Sequence, residues 1–383
     1  MSNDIYPHFL IGKKLGDWIV TKDLDLKNYT TGGNFSWQFA VVNDLTNEEA
    51  FMKAVNLYRS ASSADAIQET NRILKELTHF NYEAELHKLC GDRNMRRITR
   101  VLHSGVYEEK LTEVPGMAFV VPYLIFELAE GDVRSHDAAQ VFDLSWRLRI
   151  FHGVACALQQ LHTAEIAHQD LKPSNIVIFE RDYAKLTDLG RATQLGNPGA
   201  FASHAHAGDR NYIPFELLYN HFTKDSWEER RLGADFFMLG CILTFLLTEA
   251  NFLVLVFSRL PKPFWPYNWK GSYEEVAPYI QHAVGEAFQE LDNCLREPVS
   301  SEIKPWILRL CHPDLKQRGF PQNSISENCW ATASDKRYLR QFDLQQVISM
   351  SDRLAKRAAF QNLQGKRSNQ RQGFWGFFLN SGQ

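Results

Sequence analysis

The sequence predicts an α+β chain in which strand patterns come first and helical patterns dominate afterwards. Three observations carry that expectation. Short stretches rich in β-branched and aromatic residues, at 18–20, 39–42, 50–55 and 119–126, crowd the first third of the chain. Afterwards helical spacing dominates: Leu144, Leu148, Phe151, Val154, Leu158 and Leu161 recur at intervals of three and four. The 383 residues, 44% apolar and 23% charged, suffice for two lobes with a sizeable core.

Residues 1–15 show little pattern and are expected as a loosely attached lead-in. The first two strands flank a polar turn that contains Gly32 and Gly33. The third strand, 50–55, sets Lys53 among Ala50, Phe51, Met52, Ala54 and Val55. An ammonium buried there requires an anion, because a lone buried charge is costly. Past a polar, Ser/Ala-rich stretch at 58–70, Ile73, Leu74, Leu77, Phe80, Ala84 and Leu86 predict a helix over 71–90 that carries Glu83 and Glu85. Arg93, Arg96, Arg97 and Arg100 follow as a solvated basic loop. The strand 119–126 is broken by a turn at Gly131 and Asp132, and a helix over 143–162, capped by Asp143 or Ser145, leads into residues 168–175. A final helix is expected from 343 to about 359.

Several function classes lose support from composition. A net charge of −3 gives no electrostatic case for nucleic acid as a partner. Cys90, Cys156, Cys241, Cys294, Cys311 and Cys329 form no C-x-x-C pair, so reduced, buried thiols are expected rather than zinc or disulfides. His204 and His206 lack acidic or thiol partners at ligand spacing. The first residues lack the basic and apolar regions of a signal peptide, and a cytoplasmic protein is expected. Residues 236–257 approach the length of a membrane span, but Thr244, Thr248, Glu249 and Asn251 predict a buried core helix broken near Glu249. After Asp352 only basic charges remain, and the aromatic run at 373–379 could touch an anionic membrane or fold back on its own domain.

The chemistry concentrates at residues 168–175, His-Gln-Asp-Leu-Lys-Pro-Ser-Asn, which place Asp170, Lys172 and Asn175 in one short loop before the apolar run 176–179. A second carboxylate, Asp188, follows in Thr-Asp-Leu-Gly at 187–190. A base, a cation and a metal-binding amide, with a further carboxylate at a neighbouring strand end, are what phosphoryl transfer from a magnesium nucleotide requires.

These motifs resemble the catalytic loop His-Arg-Asp-Leu-Lys-x-x-Asn and the metal motif Asp-Phe-Gly of eukaryotic-like serine/threonine protein kinases, over roughly residues 16–350. Gln169 stands for the Arg and Leu189 for the Phe. The resemblance implies a bilobal kinase-like fold: a small antiparallel β-sheet lobe with one main helix at 16–129 and a larger, mainly helical lobe at 130–350. The lead-in 1–15 precedes them and a basic, aromatic tail, 351–383, follows. Departures in the glycine loop, hinge and anchor motif suggest a divergent, bacterial branch.

ATP and Mg2+ are the cofactors that the resemblance implies. Gly32 and Gly33 would belong to the loop covering the phosphates, where Thr31 and Ser36 replace the outer glycines. Lys53 would hold the α- and β-phosphates and pair with Glu83, or alternatively with Glu85. Phe126 becomes the gatekeeper, Glu127 and Ala129 the hinge at the adenine, and Asp132 a ribose contact. Asn175 and Asp188 would hold the metal, Asp170 would accept or orient the substrate hydroxyl, and Lys172 would neutralise the moving phosphoryl group and mark Ser/Thr acceptors in a protein substrate. Residues 208–216 resemble the family's Gly-Thr-x-x-Tyr-x-Ala-Pro-Glu, with Asp209 in place of Thr, implying a pair between Glu216 and Arg318. Asp235 would brace the catalytic loop. Gln169 implies activity without phosphorylation of the activation segment, where Thr193 and Ser203 are the candidate acceptors. The alternatives are a kinase-fold scaffold without turnover and a small-molecule phosphotransferase of the same fold.

Overall fold

A computed structural model describes residues 7–24, 36–57, 66–110, 118–135, 143–197, 199, 208–221, 226–294, 299–322 and 341–379. Gly32, Gly33, Ser203, His204 and His206 lie outside the described residues, as does most of the polar stretch at 58–70.

The small lobe is one antiparallel sheet in the order β1-β2-β3-β4-β6-β5, built from β1 (Lys14–Leu15), β2 (Trp18–Asp23), β3 (Ser36–Asn43), β4 (Glu49–Val55), β5 (Val101–Lys110) and β6 (Ala118–Glu127). Period-two alternation fixes which face is dry. Val20, Phe39, Val41, Met52, Val121 and Ile125 bury one face, so Lys53, beside Met52 in β4, points to the other. Helix α1 (Ala66–Asp92) meets that other face through Glu83. The lead-in, expected to be loose, buries Leu10 and Leu15 against the sheet. Strand β5 falls where the sequence shows no strand period, because its side chains stand half in water and Val106 is exposed.

The larger lobe begins at β7 (Gly131–Asp132), which pairs with β9 (Ile176–Phe179), itself paired with β10 (Tyr183–Leu186). Helix α2 (Leu144–Thr163) follows β7 and is capped by Asp143, whose side chain accepts from the Trp146 N–H. Strand β8 (Ile166–Ala167) pairs with β11 (Thr193–Gln194), bringing the segment after Asp188 back beside the loop that carries Asp170. The helices α3 (Phe215–Leu218), α4 (Gly233–Thr248), α5 (Phe252–Phe257), α6 (Tyr273–Cys294), α7 (Val299–Leu310) and α8 (Gln345–Leu379) complete the lobe.

Helix α4 is the strongly apolar segment, and it is a core helix. Its residues 233–244 are all buried, and α2 and α7 pack on it. One π-helical turn, Glu228–Leu232, precedes it, and Glu249 ends it in the left-handed region at φ 60°. Asn251 then caps α5 by accepting from the N–H groups of Leu253 and Val254. Helix α8 runs well beyond the expected end near residue 359, and its first half lies against α2, where the Ser351 hydroxyl and the Ile348 carbonyl each sit 3.2 Å from Nδ1 of His152.

Candidate active site

Lys53 lies between two carboxylates. Its Nζ is 2.8 and 3.0 Å from the two oxygens of Glu83 and 3.0 Å from Oδ1 of Asp188. Glu83 is buried and Glu85 is exposed, which settles the choice that helix phase left open. Burial would lower the Lys53 pKa, but Asp188 and Glu83 outweigh it and hold the ammonium above its ordinary value. For Asp188, burial raises the pKa, yet the attraction and hydrogen bond of Lys53, with smaller help from Lys172 and His168, carry it well below the usual carboxylate range. The site therefore holds a fixed cation and at least one fixed anion at neutral pH. Asp188 sits in the left-handed region at φ 63°, a cost that a non-glycine residue bears only where its surroundings impose it. Gly190, two residues on, leaves room for both carboxylates: a Cβ there would lie tightly, at 3.2 Å, against Asp188 Oδ1 and Glu83 Oε2.

The loop after β8 is held from below by one buried carboxylate. Asp235, at the start of α4, accepts the backbone N–H groups of His168 at 2.8 Å and Gln169 at 2.9 Å, together with the Gln169 side-chain amide at 3.1 Å. His162 Nε2 lies 2.9 Å from Oδ2, the oxygen that also accepts the His168 N–H. Burial raises the Asp235 pKa, but these donors, His162 foremost, bring it below the ordinary value. Gln169 takes φ 64° and turns its side chain inward, donating to the Arg231 carbonyl at 2.8 Å and accepting from the Arg231 guanidinium at 3.1 Å. Nδ1 of His168 accepts from the Asp170 N–H at 3.3 Å, which leaves Nε2 to donate to the Thr187 carbonyl at 3.1 Å. The catalytic loop is thereby tied to the residue before Asp188.

Asp170 is nearly buried. Lys172 Nζ and the Asn175 amide reach its Oδ2 at 3.0 and 3.3 Å, and the Asp209 N–H donates to its Oδ1 at 2.8 Å. Burial raises its pKa, Lys172 opposes that and Asp188 adds to it, and the net effect is upward, towards a better proton acceptor. Asn175 spends its amide N–H on the Asp170 carbonyl at 2.8 Å, so its Oδ1 faces away from that bond. The Asn175 amide oxygen and the ionised Asp188 carboxylate are hard oxygen donors of the kind Mg2+ takes alongside phosphate oxygens, and these residues fit such an ion. Bound there, Mg2+ would neutralise phosphate charge.

At the lobe junction, the Glu127 side chain turns to Lys185 at 2.6 Å and to the Arg100 N–H at 2.8 Å. Only its backbone is left for the expected hinge role, beside half-buried Ala129. Asp132 is engaged by the Arg134 guanidinium at 2.7 Å, a partner that a ribose contact would have to share. Phe126 is buried, edge-on to His87 with ring centroids 5.0 Å apart. The anchor pair forms as expected: Arg318 donates to both oxygens of Glu216, at 2.8 and 2.9 Å. Two residues not singled out from the sequence, Lys185 and Tyr82, bear on the site through Glu127 and the segment after Asp188, and Asp209 contributes its backbone N–H rather than its side chain.

A model of the protein kinase domain matches residues 31–326. Among curated relatives, serine/threonine-protein kinase RAD53 of Saccharomyces cerevisiae is 28% identical over 304 residues, covering 76% of this chain and 34% of that protein. Serine/threonine-protein kinase PknD of Chlamydia pneumoniae is 23% identical over 291 residues, covering 62% and 30%. Mitogen-activated protein kinase p38b of Drosophila melanogaster is 25% identical over 209 residues, covering 55% and 50%. The chain spans half or less of the length of these relatives. With most of its length matched and the site assembled in the expected order, this chain belongs to the protein kinase family.

Proposed function

We propose that the chain transfers the γ-phosphoryl group of ATP to Ser or Thr hydroxyls of a protein substrate, itself included. The observation that carries this reading is the placement of Lys53, Glu83 and Asp188 in one charged cluster, with Asp170, Lys172 and Asn175 in a second joined to it through His168 and Thr187. Lys53 supplies a fixed positive charge for the nucleotide phosphates. Asp170, with its raised pKa, orients the acceptor hydroxyl and takes its proton, and Lys172 offsets charge on the phosphoryl group in transit. Magnesium held by Asp188 and Asn175 would supply electrostatic neutralisation of the phosphates. Serine/threonine kinase relatives support the choice of acceptor. Retention of Lys53, Asp170, Asn175 and Asp188 favours turnover over a scaffold, and Lys172 with the Tyr212 to Glu216 segment favours a protein acceptor over a small molecule.

The free thiols Cys90, Cys156, Cys241 and Cys311 support placing the protein in a reducing cytoplasm. Mapping of phosphorylated residues after incubation with Mg-ATP and a generic basic protein tests the acceptor. Phosphoserine and phosphothreonine are expected, and phosphotyrosine alone would overturn the assignment.

A further inference from the structure

Tyr82 stands next to Glu83 on α1 and is only 7% exposed. Its ring belongs to the core of the large lobe, although α1 is the main helix of the small one. Its hydroxyl makes two directed bonds to the segment after Asp188: it accepts from the Gln194 N–H at 3.0 Å and donates to the Asn197 carbonyl at 2.9 Å. Gln194 and Asn197 also bridge each other across a tight turn, with Gly196 at φ 80°. The phenol therefore closes that turn as a third partner. On its far side Gly199, at φ 66°, leaves space for the ring, because a Cβ there would sit 2.4 Å from two ring carbons. Burial, the largest influence on the phenol, raises its pKa and keeps the proton it must donate.

Gln169 replaces the catalytic-loop Arg, and its amide is committed to Asp235 and the Arg231 carbonyl rather than to the segment. Thr193, one of the two candidate phosphate acceptors, is 0% exposed within β11. A phosphate on Thr193 could not be placed without opening β11.

From this geometry we propose that Tyr82 is the positioning residue that couples the activation segment to α1, so that the ordered turn at 194–197 holds Glu83 against Lys53 through two neutral hydrogen bonds. The inference rests on the kinase reading of the site. It adds that the active arrangement is built in through the phenol and needs no phosphate. The position of α1 then follows the state of the turn: whatever opens residues 194–197 releases the Tyr82 hydroxyl and lets Glu83 leave Lys53. A modification or partner acting on Tyr82 itself would have the same effect.

The test compares full-length wild type with Tyr82→Phe, which removes only the hydroxyl, in wild-type and Glu83→Gln backgrounds. In the wild-type background kcat should fall roughly tenfold, the size of two ordinary hydrogen bonds or one strong one. In the Glu83→Gln background the same change should cost less than about twofold, since its target has already been removed. Gly199→Ala, which drives the ring away from the opposite side, should reproduce the Tyr82→Phe loss. Hydrogen exchange without nucleotide should show the Gln194 amide and the first half of α1 exchanging faster in Tyr82→Phe. Equal losses in both backgrounds, or unchanged kcat and unchanged exchange, would overturn the coupling. A wild type without transfer activity would count against the kinase reading, and the exchange measurement would still decide whether the phenol couples the two segments.

Discussion

Arg318 and Glu216 form a buried bidentate pair, with Nη1 to Oε1 at 2.8 Å and Nη2 to Oε2 at 2.9 Å. The pair fastens the end of the activation segment at α3 to the loop before α8, and Arg318 is fully enclosed. Arg318→Ala leaves Glu216 without its cation and should cost about 3–5 kcal/mol of unfolding free energy. Urea denaturation measures it. A double change to Arg318→Met and Glu216→Leu should recover most of that loss, because no uncompensated charge then remains. A loss below about 1 kcal/mol in the single variant would mean that the pair is surface-like.

His87 brings acid sensitivity to α1. Burial, followed by the Lys53 ammonium, pushes its pKa from 6.5 down to about 3, while the carboxylate of Asp188 acts in the opposite sense and His168 adds a minor downward push. Between those values the unfolded chain binds a proton that the folded chain refuses, so stability is lost as pH falls below 6.5. The expected slope is about 1.4 kcal/mol per pH unit from this one group. His87→Leu should flatten the stability curve between pH 6 and roughly 4 by that amount, as denaturation at a series of pH values would reveal. An unchanged slope would show that His87 is hydrated in the native state.

Asp235 braces the loop through two backbone N–H groups, the Gln169 amide and His162. Asp235→Asn keeps the shape but offers one acceptor oxygen where two are needed for the His168 and Gln169 N–H groups. The catalytic loop should then shift, with a loss in kcat of about a hundredfold. Steady-state kinetics with the folded variant gives the answer, and a loss under about threefold would show that the loop is held by its other contacts.

Much of this arrangement was legible in the sequence. Lys53 stood out as an ammonium inside an apolar strand, and Asp170, Lys172, Asn175 and Asp188 were visible as spaced motifs in the order their chemistry needs. The Glu216 to Arg318 pair and the brace by Asp235 followed from the same resemblance, and each forms in the structure. Glu83 and Glu85 could not be separated, because both flank apolar positions on α1 and only the sheet beneath decides which faces Lys53. The inward turn of Gln169 depends on a positive φ that no local pattern announces. Strand β5 was missed because one half of its surface is wet, and the contact of Tyr82 with the segment was missed because its partners are backbone groups more than a hundred residues away. Side-chain identity signals chemistry well, whereas backbone acceptors carry no sequence signature.

The Lys53 cluster predicts a stability effect besides an activity effect. Lys53→Met leaves Glu83 and Asp188 facing each other without their shared cation. Transfer should fall more than about a hundredfold and the nucleotide-free protein should lose about 1–3 kcal/mol, because buried Glu83 loses its cation while Asp188 keeps partial access to water. Thermal unfolding with and without Mg2+ checks this, and added Mg2+ should restore part of the loss. Equal melting temperatures for variant and wild type would mean that the two carboxylates share a proton at no cost.

The proposed role of Asp170 is in transfer of the ATP γ-phosphoryl group. Its most direct test is incorporation of labelled phosphate from Mg-ATP by the purified chain, into itself and into a basic protein, side by side with Asp170→Asn. Labelling by wild type that falls at least about a thousandfold in the variant, with fold and nucleotide affinity retained, is the result expected from a general base at the reacting hydroxyl. Equal labelling by both, or none by a wild type that binds Mg-ATP, would contradict it.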